Sequence, residues 1–132
     1  MRAVASLLLS VIWASGSVAY ECPVFSDHEW EFVGHIVTHT YPGPPNFESI
    51  SGGDKPVTRW YLQLPSAVCF SNYHHQFLFQ LSLKPEEFER YRQFLGKEIR
   101  IKGTLEEAVA GYHRTPLILN VSSLVRLGVD RS

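Results

Sequence analysis

No uninterrupted apolar run in this chain approaches the ~20 residues that a helix needs to cross a hydrocarbon core. Charge of one sign is missing as well, because 12 Lys and Arg stand against 13 Asp and Glu. A protein that tracks nucleic acid normally presents a basic groove, and this balance does not favour one. Cysteine is scarce: only Cys22 and Cys69 occur, and no Cys-x-x-Cys redox pair exists. The serine-hydrolase elbow Gly-x-Ser-x-Gly, the metalloprotease motif His-Glu-x-x-His and the phosphate-binding glycine loop are all absent. The chain therefore reads as a non-enzymatic protein with no cofactor, no metal, no nucleic-acid partner and no membrane span.

The N-terminus carries the first positive signal. Met1 and Arg2 precede an apolar stretch of about a dozen residues, Ala3 to Ala14, and small residues follow at Ser15-Gly16-Ser17-Val18-Ala19. A short basic start, a brief apolar segment and small residues at the cut make a secretory signal peptide. Residues 1–19 are read as that peptide and residues 20–132 as one domain, periplasmic or secreted. Removal of Arg2 leaves 11 basic against 13 acidic residues, a net charge of −2. In an oxidising compartment the even pair Cys22 and Cys69 favours a disulfide over two buried thiols. Its loop-closure effect is worth roughly 3–4 kcal/mol.

Period-two alternation marks the strands. In residues 29–40, Trp30, Phe32, Gly34 and Ile36 alternate with Glu29, Glu31, Val33 and His35. A Pro/Gly/Ser-rich loop, residues 41–55, follows. Residues 57–64 place Trp60, Leu62 and Leu64 on one face and Arg59, Tyr61 and Gln63 on the other. A turn over residues 65–73 carries Cys69. In residues 75–83, Phe77, Phe79, Leu81 and Leu83 share a face opposite Gln76, Gln80 and Ser82. Residues 85–95 form the one strong helix: Pro85 opens it, and Phe88, Tyr91 and Leu95 share one side. Gly96 follows as its C-terminal cap. Strands over residues 98–105 and about 115–125 complete the order. Three strands, a helix and two strands make an all-β chain with one short helix, a five-stranded OB-type β-barrel with the helix between strands three and four. A sandwich is the alternative. Gly34 and Gly103 stand where strands of a closing barrel must bend or approach closely.

Gly96 to Leu105 (GKEIRIKGTL) and Gly111 to Leu119 (GYHRTPLIL), with Phe32-x-Gly34, Leu62-x-Leu64-Pro65 and Cys69, form an ordered set of short motifs. In that set the chain resembles a family of exported bacterial domains of unknown function, DUF4431. The resemblance implies an OB-like fold and export, and no activity. In that family the stretch often reads Thr-Gly-His-His-x-Thr. Ala110 and Tyr112 replace its threonine and first histidine here, so a site needing both imidazoles is not expected.

Tyr112, His113, Arg114 and Thr115, in the loop before the last strand, are the candidate ligand-binding residues. In OB-folds this loop and the one between strands one and two border the binding face. A phenol, an imidazole, a guanidinium and a hydroxyl suit a carboxylate, a phosphate or a sugar hydroxyl. Alternatively, His113 and Thr115 fix a tight hairpin, and Thr115 before Pro116 is suited to that. His35 and His39 on strand one are too far apart to bind one metal directly unless the strand bends at Gly34, since alternate residues are ~6.5–7 Å apart. Adjacent His74 and His75 project to opposite faces. Glu48 and Asp54 read as solvated loop charge rather than an acid–base pair. Trp30 and Trp60 belong to the core, whereas Tyr41, Phe47, Phe70 and Tyr73 fall in loops as barrel plugs or as an aromatic lip. Asn120-Val121-Ser122 fits the glycosylation pattern but lies on a strand.

The function expected is an exported, monomeric binding module for a small molecule, an envelope saccharide or a protein of the cell envelope. The alternative is an inhibitor or immunity-type protein that occupies an envelope enzyme with the residue 41–55 loop.

Overall fold

Alternating side chains put one face of the paired strand segments into a shared interior. The computed structural model describes residues 21–26, 28–109 and 113–128. The signal-peptide segment, residues 1–19, lies outside them. The elements are β1 (Trp30–Pro42), β2 (Pro56–Phe70), β3 (Tyr73–Ser82), α1 (Pro85–Tyr91), β4 (Glu98–Glu107) and β5 (Leu117–Arg126). A 3-10 turn over Arg92–Phe94 extends α1. The strands close in the order β1-β2-β3-β5-β4, with β4 paired back to β1. Only β3 and β5 run parallel; the other pairs are antiparallel. This is the OB-type five-stranded barrel, with its helix between the third and fourth strands.

Phe32, Ile36, Leu62, Phe79, Ile99, Ile101, Leu105 and Leu119 fill the interior. Each fully buried side chain of this size contributes about 1.5–3 kcal/mol by leaving water. Two positions in the wall admit no side chain. A Cβ on Gly34 would meet the Gln63 carbonyl oxygen at 2.4 Å, and one on Gly103 would meet the Asn120 carbonyl oxygen at 2.2 Å. The strand register shifts at Lys102/Gly103, as expected where a barrel wall bends.

Glu87 accepts the Lys84 backbone N–H at 2.8 Å and closes the first turn of α1. Phe88 meets Trp60 edge-on at 5.1 Å between ring centres, while Leu95 packs against the core beside Ile36. The Gly96 N–H donates to the Ile36 carbonyl at 2.9 Å, tying the helix exit to β1. Helix α1 is shorter than the 85–95 expectation because its last turn tightens to 3-10 geometry.

Cys22 and Cys69 form the disulfide, with Cα atoms 5.3 Å apart. It pins the segment before β1 to β2. Strand β2 is longer than expected and carries Cys69, continuing past Pro65 through a register shift between Gln63 and Val68. Tyr41, Phe70 and Tyr73 consequently lie on strands rather than in loops. Phe70 is buried in the core, against the Phe79 and Trp30 rings. Phe77, expected on the buried face with Phe79, is 51% exposed. Strand β5 reaches β3 only at Gln80–Ser82, so at Phe77 the β2–β3 pair has run beyond the barrel wall.

Candidate functional site

Two connections converge on the outer face of β2 and β3. The first is the β1–β2 loop, residues 43–55. Its organising group is Asp54, only 5% exposed. One carboxylate oxygen accepts the Asn46 N–H at 2.9 Å, and the other accepts those of Glu48 and Ser49 at 2.8 and 2.9 Å. The Ser49, Glu48 and Asn46 hydrogen bonds hold the carboxyl below the usual carboxylate range, against the opposing effect of burial. Asp54 is therefore the loop's internal scaffold, not the solvated charge the sequence suggested. Gly43 N–H donates to Lys55 O at 2.7 Å, and Lys55 N–H to Pro44 O at 2.9 Å, closing the loop base. Phe47 has φ +56°, a left-handed backbone held by its N–H bond to Gly43 O at 2.8 Å. The residue is 63% exposed.

The second connection joins β4 to β5. The Thr115 hydroxyl is buried, accepts the Gln80 N–H at 2.8 Å and donates to Leu117 O at 2.7 Å. Gln80 returns the contact, its side-chain oxygen accepting the Arg114 N–H at 2.7 Å. Residues 113–116 thus form a strap across the outer face. Tyr61, Gln80 and Ile118, which occupy one register row across β2, β3 and β5, are buried as a result. Gln80 was expected to face solvent; the strap covers it.

Between loop and strap lies a trough of about 420 Å³, lined by Tyr41, Pro42, Phe47, Val57, Arg59 and Arg114. The Arg114 guanidinium sits 4.3 Å over the Tyr41 ring centre, a cation–π contact that joins the strap to the end of β1. Beneath it the Tyr61 hydroxyl donates to that of Tyr41 at 3.0 Å. Burial first, then the bond to Tyr41, raise the Tyr61 hydroxyl well above its ordinary range, so it remains a donor at physiological pH. Across the strap lies a second cavity of about 400 Å³, lined by His113, Gln80, Val109, Glu106 and Phe88, with Arg59 shared between the two. His113 turns its Nδ1 toward the Val109 N–H at 3.2 Å.

The candidate residues thus separate. Arg114 lines the trough, His113 lines the second cavity, and Thr115 lies inside the strap. Tyr112 falls outside the described residues. The sequence reading did not single out Arg59, whose only signal is an outward cation between Thr58 and the buried Trp60-Tyr61 pair. His35 and His39 are exposed on β1, and His39 meets the Tyr61 ring edge-on at 5.7 Å. His74 lies 4.0 Å from Cys22 Sγ. Among the described residues no group of three or more His, Cys, Asp and Glu is placed to hold a metal, and no helix is long and apolar enough to cross a membrane.

The strap and its supporting strands are also where a family match falls. Residues 78–124 match the model described as Domain of unknown function (DUF4431). The DUF4431 segment runs from β3 through α1 and β4 into β5, and so contains Gln80, His113, Arg114 and Thr115. Tyr41, Phe47 and Arg59, on the opposite wall of the trough, lie before it. No curated protein and no solved structure matches the chain.

Proposed function

We propose that this protein is an exported binding module, periplasmic or secreted, that takes its ligand in the trough between the β1–β2 loop and Arg114. The observation that carries the reading is that both walls are fixed in advance. Asp54 fastens one through three backbone N–H groups, and Thr115 with Gln80 fastens the other. Ordering a loop at the moment of binding costs affinity, so walls held beforehand favour recognition. The trough lies where OB-folds accept ligands, beside the β1–β2 and β4–β5 loops. It is lined by aromatic and apolar side chains with a few convergent polar groups, as small-molecule sites are. Its titratable lining groups are the Tyr41 phenol and the Arg59 and Arg114 guanidiniums, a set that suits recognition of a ligand. The disulfide and the N-terminal apolar segment favour an oxidising compartment outside the cytoplasm.

A thermal-shift screen of envelope saccharides, organic acids and short peptides tests this reading. Compounds that raise the Tm of the wild-type protein are expected to lose that effect in Arg114→Gln and in Phe47→Ala. Equal stabilisation of both variants would place recognition elsewhere.

One observation supports the inhibitor reading: Phe47 and Ile50 stand exposed on a loop that Asp54 makes rigid. Such a tip suits insertion into an envelope enzyme. That reading predicts loss of inhibition in Phe47→Ala with little change in Arg114→Gln.

A further inference from the structure

The polar side chains of the trough have one property in common: each has hydrogen to give. A guanidinium only donates, and Arg59 and Arg114 both line the site. Tyr41 contributes a phenol whose lone pair already receives the Tyr61 proton. Its own O–H has no recorded acceptor among the described residues, so it is left to donate outward. The remaining lining residues, Pro42, Gly43, Phe47 and Val57, add no polar side chain. A sugar, which brings as many donors as acceptors, would leave its hydroxyl protons facing donors and carbon. A ligand that brings acceptors matches the Arg114 guanidinium and the Tyr41 hydroxyl.

We infer that the trough binds an organic anion, in which an oxyanion is carried on a compact apolar body. This rests on the reading of the trough as the binding site. The oxyanion accepts from Arg114, Arg59 and the Tyr41 hydroxyl, and the apolar body lies against Phe47 and Val57. The Tyr61-to-Tyr41 hydrogen bond polarises the Tyr41 O–H and strengthens it as a donor, since hydrogen bonds in a chain reinforce one another. The Tyr41 ring lies under Arg114, its centre 4.3 Å from the guanidinium carbon, and helps to hold that group at the trough wall. A guanidinium's planar fork matches the paired oxygens of a carboxylate or phosphate. Phe47, an exposed residue, supplies the apolar surface that the body would cover. The volume of about 420 Å³ suits a ring or short branched chain with one charged group.

The test is an amide chemical-shift titration of the full protein with four probes: 3-phenylpropionate, its primary amide, phenyl phosphate, and a short peptide ending in phenylalanine with a free carboxylate. The carboxylate is expected to shift Tyr41, Phe47 and Arg114 and to bind at least tenfold more tightly than the amide. Arg114→Gln is expected to weaken it about tenfold to a hundredfold, the range of a charge-assisted hydrogen bond. Tyr41→Phe, which removes only the hydroxyl, is expected to weaken it several-fold. An unchanged unfolding midpoint in each variant excludes misfolding as the cause. Preference for phenyl phosphate or for the peptide supports the inference and identifies the anion's source. If the amide matches the carboxylate while shifting the same residues, the anion inference is wrong and the trough reading stands. If no probe shifts the trough at millimolar concentration, or the shifts fall elsewhere, the trough reading fails as well.

Discussion

Thr115 shows how one hydroxyl can hold a connection in place. Buried, it accepts from Gln80 and donates to Leu117, and the Arg114 N–H completes the exchange with Gln80. Thr115→Val keeps the shape but leaves the Gln80 N–H and the Leu117 carbonyl competing for partners away from water. An orphaned buried polar group costs about 1–3 kcal/mol. Urea denaturation of Thr115→Val is expected to show a loss in that range, with Thr115→Ser near wild type. At Gly103 the limit is space: a methyl there would meet the Asn120 carbonyl oxygen at 2.2 Å. Gly103→Ala is expected to destabilise by about 1–3 kcal/mol, the usual cost of overpacking a fixed wall, measured in the same denaturation series.

At the scale of elements, the β1–β2 loop depends on one ionised carboxylate. The folded-state pKa of Asp54 lies below its ordinary value of 3.8, so its contribution is fully present above pH 3.8 and disappears as pH falls through the depressed value. Hydrogen exchange followed down the pH scale is expected to show Asn46, Glu48 and Ser49 amides losing protection below pH 3.8 while the barrel strands remain protected. Simultaneous loss in loop and strands would show that the loop is not an independent unit. The five strands and the helix were legible in the sequence because their alternation matches what the interior selects. Gly34 and Gly103 were legible because a barrel wall leaves few other uses for a mid-strand glycine. The exceptions have physical causes. Phe77 keeps the parity of Phe79, but the wall has no third strand behind it. Gln80 and Tyr61 have outward parity and are buried because a distant connection folds over them. Half of the site was legible for the same reason. Arg114 could be placed from the order of the strands, whereas its neighbours Tyr41 and Arg59 depend on how two loops meet.

For the molecule as a whole, the barrel supplies a closed frame and the disulfide fastens its entry. Joining residues 47 apart in sequence restricts the unfolded chain by about 4 kcal/mol in the loop-closure picture. The paired substitution Cys22→Ala with Cys69→Ala is expected to lower stability by about that amount without altering the trough, which is formed by other elements. Export predicts that protein recovered from outside the cytoplasm begins at Tyr20, read by N-terminal sequencing. Recognition, in this account, belongs to the meeting of two loops that the barrel brings together, one before the DUF4431 segment and one within it. A crystal structure with the most stabilising ligand tests that most directly. The account predicts density between Phe47 and Arg114, with the ligand's acceptors turned to the guanidinium and to the Tyr41 hydroxyl. Density on any other surface, with the trough unfilled, would contradict it.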